Sequence, residues 1–195
     1  MKTLSMIAVK AALVLALQAS SSFAADISGV KIADTVKLGD AELVLNGAGV
    51  RTRAVFKVYV AALYLPGKRA TEGEVFATKG PKRLAMHLMR DLSAEQLTEA
   101  LNGGLNDNLS EPEKEKFKTQ IVDLTATMAD VGAAKDKQIV TIDWMPGQGT
   151  RVALNGTAKG KTIAGEDFYN ALLRIWIGAK PIGGELKAAL LGKAQ

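Results

Sequence analysis

The sequence predicts an α+β fold in which an antiparallel sheet carries helices on one face. Two observations support this prediction. Segments of alternating apolar and polar residues are joined by short turns, most clearly at Asn155-Gly156, a strong signal for a two-residue hairpin. The segments with helical periodicity are grouped in blocks, one between the strands and one after them. Hairpin-connected strands with grouped helices are typical of α+β domains.

Residues 1–24 have the pattern of a secretory signal peptide. Lys2 and Lys10 precede a short apolar run over 11–17, and the segment ends in a small-x-small motif at Ala24. The apolar run is shorter than the roughly 20 residues that a membrane span requires, which disfavours an anchoring helix. We therefore expect cleavage after Ala24, a single domain over residues 25–195, no integral membrane segment after cleavage, and a periplasmic location.

Composition excludes several classes of function. The 195-residue chain has no cysteine, so it has neither disulfides nor cysteine-based catalysis. Loss of Lys2 and Lys10 with the signal peptide lowers the formal net charge from +5 to +3, an ordinary surface excess. No basic run with interleaved aromatic residues appears, so a nucleic-acid partner is not expected. No metal or cofactor is expected either.

The first half of the chain predicts strands followed by helices. Asp26–Leu45 alternates as an opening strand pair, and Gly47-Ala-Gly49 is expected to form a turn. The uncharged segment Val58–Leu65 predicts a central strand buried on both faces. A polar connection with a short helix around Glu72–Phe76 leads to a strand over Arg83–Met89.

Two helix-start signals follow in the middle of the chain. Ser93-Ala-Glu-Gln96 is a capping box, and leucines from Leu97 recur every four residues behind it. Ser110-Glu-Pro-Glu113 repeats the signal and predicts a long amphipathic helix that ends at Gly132.

The last third predicts a strand, a hairpin and two helices. Asp167 is expected to cap the first of these helices. The segments are Gln138–Met145, Thr150–Leu154, Thr157–Ile163, Asp167–Gly178 and Gly184–Leu191.

Few residues offer chemistry. Asp143 and Glu166 have no carboxylate partner in the sequence, so an acid/base pair is not indicated and both are expected at the surface or at a helix cap. Arg51 precedes the central strand and is either the cation of an anion site or a turn residue paired with an acid; the local pattern leaves both open. Tyr59 and Tyr64 have opposite parity, so they face opposite sides of their strand. His87 suggests a haem ligand or, more simply, a half-buried strand histidine. Trp176, like Trp144, is expected in the core.

Taken together, five separated blocks resemble the bacterial, exported branch of the chalcone isomerase-like family. They are Gly47-Ala-Gly-Val-Arg51, Lys57–Leu65, Leu88–Glu95, Trp144–Thr150 and Gly165–Gly178. The resemblance implies an open-faced β-sandwich, a large antiparallel sheet covered by a layer of helices, with a ligand cleft between them.

The resemblance also implies which residues face that cleft. The plant enzymes cyclise chalcones with an arginine, a threonine, a tyrosine, an asparagine and a further serine or threonine. Arg51 matches the arginine. At the other four positions this chain has Tyr59, Leu97, Gly104 and Ile175. Since most of the hydroxyl and amide donors are absent, stabilisation of a developing enolate would be weak. The plastid fatty-acid-binding members retain an arginine and a tyrosine in this way.

The favoured interpretation is a periplasmic, non-catalytic protein that binds a small apolar ligand with an acidic head, similar to a fatty acid. Arg51 would pair with the head and Tyr59 would donate a hydrogen bond to it. Leu97, Ile175 and Trp176 would line the tail region. Three alternatives stay open: an isomerase or intramolecular lyase, haem or tetrapyrrole binding through His87 or Tyr59, and a structural partner protein with a vestigial cleft.

Overall fold

A computed structural model describes residues 23–193 of the chain. The predicted signal peptide lies outside the described residues, except for its last two positions, which begin the first strand. Within the described part, no helix is both long enough and apolar enough to cross a membrane.

The chain forms nine strands and six helices over these residues. The strands are β1 Phe23–Ile27, β2 Val30–Ala33, β3 Thr35–Leu38, β4 Ala41–Arg53, β5 Phe56–Leu65, β6 Lys82–Leu88, β7 Ile139–Met145, β8 Gly149–Leu154 and β9 Thr157–Ile163. The helices are α1 Glu72–Ala77, α2 Ala94–Asn108, α3 Glu111–Lys116, α4 Lys118–Val131, α5 Glu166–Ile177 and α6 Gly184–Leu190.

Strands β3 to β9 form one antiparallel sheet in chain order, and β1 and β2 form a separate hairpin. This architecture confirms the α+β prediction. Strand β5 is buried on both faces, as its uncharged sequence predicts. The Asn155-Gly156 hairpin is also confirmed, and both residues have the positive φ, 48° and 81°, that a tight two-residue turn favours.

The two faces of the sheet are covered differently. One face packs against the helices and forms the main core, with Ala61, Leu63 and Leu65 of β5 at its centre. The other face packs partly against the β1–β2 hairpin, where Ile32 contacts a second cluster that includes Val60. Because successive residues of a strand point to opposite faces, β5 contributes to both clusters.

The predicted turn at Gly47-Ala-Gly49 is wrong: these residues lie inside the long strand β4, next to a register shift at Asn46. A β-carbon at Gly47 would lie 2.0 Å from the carbonyl oxygen of Ala189 in α6. Glycine is therefore needed here so that α6 can approach the strand. Asn46 donates from Nδ2 to the Leu190 carbonyl at 2.7 Å and holds that helix in place.

Two helix predictions need correction. The long helix after Ser110 is divided into α3 and α4 at Phe117, which has ψ near 10°. Helix α5 begins after Gly165 rather than at Asp167, which lies inside the first turn and pairs with Lys116. By contrast, the capping box at Ser93 forms as predicted, with Ser93 Oγ accepting from the Gln96 amide at 3.3 Å.

Candidate ligand-binding cleft

A cleft of about 590 Å³ opens between the helix-covered face of the sheet and helices α2 and α5. Its volume lies in the range typical of small-molecule sites. Its walls are mostly apolar side chains from both layers, among them Met86, Leu97, Leu101, Ile142, Ile175 and Ile182. The structure thus has room for a small apolar ligand between sheet and helices.

The five residues that the sequence proposed for ligand contact all line this cleft: Arg51, Tyr59, Leu97, Ile175 and Trp176. All but Arg51 are buried, and Arg51 is half-buried. They come from β4, β5, α2 and α5, so the fold brings together side chains that are far apart in the sequence.

A β-bulge aims the β5 side chains at the cleft. Arg51 lies opposite Tyr59 across the β4–β5 pair, but Thr52 lies opposite Lys57, which leaves Val58 as an extra residue on β5. As a consequence, both Val58 and Tyr59 line the cleft although they are adjacent in sequence. Bulges of this kind commonly re-aim side chains beside binding sites.

The Tyr59 hydroxyl accepts a hydrogen bond from Trp176 Nε1 at 2.9 Å. Burial raises the pKa of Tyr59 to about 12, although the Trp176 hydrogen bond and the charge of Arg51 act in the opposite direction. The phenol is therefore neutral at ordinary pH. With its oxygen occupied by Trp176, its own O–H remains a donor for a ligand, since no acceptor for it lies in the described residues.

The Arg51 guanidinium donates to the Thr52 carbonyl and lies beside the loop between α5 and α6. A β-carbon at Gly183 in that loop would be 3.9 Å from Arg51 Nη1. Within residues 23–193, Arg51 forms no salt bridge with a carboxylate. The described structure therefore does not support the alternative in which Arg51 is a turn residue paired with an acid.

Gly104 of α2 allows close contact with α5. A β-carbon at this position would lie 2.6 Å and 2.9 Å from the two γ-carbons of Ile175. Gly104 and Ile175 therefore shape the cleft wall as a pair.

Sequence reasoning missed two cations and much of the apolar wall. Arg53 and Arg90 line the cleft as well. Arg53 lies two residues beyond Arg51, and Arg90 continues the alternation of Met86 and Leu88, so strand parity was the available signal. Asp143, expected at the surface, is instead fully buried and holds Arg83 through two 2.7 Å contacts.

His87 does not reach the cleft. It pairs with Val60 on the opposite face of the sheet, while Met86 and Leu88 on either side point to the helices. Burial lowers its pKa, which favours the neutral ring. In residues 23–193, no three histidine, cysteine or acidic side chains are grouped so that they could hold a metal ion.

Comparison with protein families gives a match to the model described as chalcone isomerase-like, over residues 24–192. The chain belongs to the chalcone isomerase-like family. A solved structure with a similar fold is that of a fatty-acid binding protein from Arabidopsis thaliana. It has a TM-score of 0.65 at 14% sequence identity, over 84% of this chain and 92% of that one. At this identity the likeness concerns the fold. No curated protein matches the sequence.

Membership in the chalcone isomerase-like family confirms the predicted architecture and gives the cleft residues a context. The sequence resemblance predicts that Tyr59, Leu97, Gly104 and Ile175 stand at the catalytic positions of the plant enzymes other than that of Arg51. Three of these four residues have no side-chain hydrogen-bond donor. These five positions therefore offer one guanidinium, one neutral phenol and three groups without a donor, while Arg53 and Arg90 add further cations to the cleft lining.

Proposed function

We propose that this protein binds a small amphiphile with a carboxylate head, such as a fatty acid, and does not transform it. The observation that carries the proposal is the Arg51–Tyr59–Trp176 arrangement. Trp176 occupies the Tyr59 oxygen, the phenol proton is left to donate, and the half-buried Arg51 cation beside it has no carboxylate partner in the described residues. A carboxylate is the group that accepts from both donors and compensates the charge.

The apolar walls suit the hydrocarbon tail of such a ligand. Leu97 and Ile175 narrow the cleft from the helix side, and Met86 and Ile142 lie on the sheet side. Transfer of each methylene group from water to such a surface is worth about 0.8 kcal/mol. The tail would supply most of the affinity, and the head group would select for an acid.

The small number of hydrogen-bond donors at these positions of the cleft favours a binding role over isomerisation. Cyclisation of a chalcone needs several donors aimed at the developing enolate oxygen, each worth roughly 3 kcal/mol of barrier. Leu97, Gly104 and Ile175 supply none. A fatty-acid binding protein with the same fold is consistent with this role.

Calorimetric titration of the purified protein with dodecanoate and with dodecanol tests the proposal. The two ligands share a tail and differ in the head. We expect Arg51→Gln to weaken dodecanoate binding by about 10- to 100-fold, the worth of a charge-assisted hydrogen bond, and to leave dodecanol binding unchanged. Lys37→Gln is the control, because it removes one exposed cation from β3 and Lys37 does not line the cleft. Equal affinity of wild type and Arg51→Gln for dodecanoate would exclude the proposed head-group site.

We further propose that the protein is exported to the periplasm and acts there. The support is the signal-peptide pattern of residues 1–24. Cleavage after Ala24 would leave Ala25, Asp26 and Ile27 to pair with β2. Mass determination of the protein recovered from a periplasmic extract should give a chain that begins at Ala25; a chain that retains residues 1–24 would contradict this.

A further inference from the structure

The hairpin between β4 and β5 ends in an exposed apolar tip. Ala54 and Val55 form its two-residue turn, and Phe56 begins the next strand. Val55 is 85% exposed and Phe56 59%. Among the described residues, Val122 on α4 is the third large apolar side chain with comparable exposure, so two of the three lie side by side on this tip. Such exposed apolar groups often mark an interaction surface.

Cationic side chains surround the tip. Arg90 places its guanidinium 5.2 Å from the centre of the Phe56 ring, and Lys57 Nζ donates to Ser28 Oγ at 2.9 Å. Together with Arg53, these residues form no salt bridge with any carboxylate in residues 23–193. Three uncompensated positive charges therefore flank two apolar side chains.

The tip is continuous with the mouth of the cleft. Arg53, Ala54 and Phe56 line both. The acids of the cleft, Glu99 and Asp107, lie on α2, across the cleft from the hairpin. A surface on which the tip rests would thus face the entrance of the cleft, with positive charge on the nearer side.

We propose that the β4–β5 tip docks the protein on a bilayer that contains anionic lipid. A stable protein–protein interface buries about 800 Å² on each partner, far more than one two-residue turn provides. A bilayer, in contrast, accepts isolated apolar side chains at its headgroup boundary and attracts neighbouring cations. Charge complementarity therefore favours an anionic lipid surface. This inference goes beyond the proposed ligand binding and does not depend on it.

Vesicle flotation tests the inference. The vesicles contain one part phosphatidylglycerol to two parts phosphatidylcholine, with pure phosphatidylcholine as the comparison. We expect wild type to float with the anionic vesicles and to be released by high salt. Val55→Ser should lower the partition coefficient about fivefold. The double variant Arg53→Gln/Arg90→Gln should lower it by about 20- to 30-fold.

Matched controls lie on α4, which packs against β9 at the other edge of the sheet. Val122→Ser makes the same change at a side chain that is 62% exposed, and Lys118→Gln removes one exposed charge. Both variants should float like wild type. Because every sample has the same N terminus, differences between variants report on the substituted positions.

Tryptophan fluorescence gives a second readout. Trp144 and Trp176 are buried, so a tryptophan placed at Val55 would respond to its own surroundings. We expect a blue shift of the Val55→Trp emission with anionic vesicles and none for Val122→Trp, because indole rings favour the membrane interface.

The inference would be overturned if the wild type did not bind anionic vesicles, or if Val55→Ser floated as well as the wild type. It would also be overturned if neither protein bound vesicles and the wild type instead formed a dimer that Val55→Ser dissociates. Val55 does not line the cleft, so Val55→Ser should retain dodecanoate affinity. Lost flotation with intact dodecanoate binding would separate the two proposals.

Discussion

The two adjacent glycines of α2 should respond differently to the same substitution. Gly103 has nothing within 4 Å of where a β-carbon would be, whereas at Gly104 that carbon would lie 2.6 Å from Ile175 Cγ2. Alanine in place of a helix-interior glycine stabilises by about 1 kcal/mol where space is open. We therefore expect Gly103→Ala to raise the free energy of unfolding by about 1 kcal/mol.

At Gly104 the same gain is opposed by overpacking. The atoms that an added carbon would meet are the γ-carbons and β-carbon of Ile175, which are stiff at χ1, so α2 and α5 must separate. Overpacking of this kind costs about 1 to 3 kcal/mol. Gly104→Ala should thus be about 1 to 3 kcal/mol less stable than Gly103→Ala.

Urea unfolding of both variants measures this difference, with the m value as a check that the denatured state is unchanged. A double-mutant cycle adds a sharper test. In the background of Ile175→Ala the clash is removed. The loss of unfolding free energy caused by Gly104→Ala should therefore be at least about 1 kcal/mol smaller there than in the wild type. Equal stabilisation by Gly103→Ala and Gly104→Ala would refute the close contact between α2 and α5.

Two further predictions concern titration and buried charge. Burial raises the pKa of every tyrosine in the chain, so absorbance titration should show no folded tyrosine ionising near its ordinary value of 10.0. The pKa values of Tyr59 and Tyr64 are raised to about 12, and that of Tyr169 is raised well above 10.0. Because only the unfolded state ionises near pH 10, stability should fall as pH rises from about 10 to 12; a phenolate signal near pH 10 in folded protein would contradict this. Asp143 is fully buried against Arg83 and pairs with Arg151 at 3.5 Å. We expect Asp143→Asn to lower the free energy of unfolding, measured in urea, by about 3 kcal/mol. Asp130→Asn, at an exposed position on α4, should change it by no more than about 0.5 kcal/mol. Equal stability of the two variants would argue against the buried pair.

Local sequence signals predicted those parts of the fold that depend on neighbours in the chain. The capping box at Ser93 and the Asn155-Gly156 hairpin need only residues within one turn, and both form as expected. The uncharged run of β5 likewise reports its own burial on both faces. Each of these signals is complete within a few residues.

The incorrect predictions arose where a distant element decides the local conformation. Gly47 looks like a turn residue, but glycine is required there because the carbonyl of Ala189, 142 positions later in the chain, leaves no room for a β-carbon. Asp143 alternates like a solvent-facing strand residue, yet Arg83 on the neighbouring strand allows its burial. Such requirements are invisible until the sheet is assembled.

The cleft likewise has some features that the sequence predicted and others that it did not. Strand parity and the family resemblance placed Arg51 and Tyr59 among the candidates, and both line the cleft. The hydrogen bond from Trp176, which leaves the Tyr59 proton free to donate, joins residues 117 positions apart. The bulge at Val58 depends on the register between β4 and β5. Neither has a local signature.

A structure of the protein with bound ω-bromododecanoate tests the proposed function most directly, because the bromine locates the tail by anomalous scattering. We predict that the carboxylate oxygens lie within hydrogen-bond distance of the Arg51 guanidinium and the Tyr59 hydroxyl, with the bromine inside the apolar cleft. A carboxylate directed into bulk water, or a bromine outside the cleft, would contradict the account.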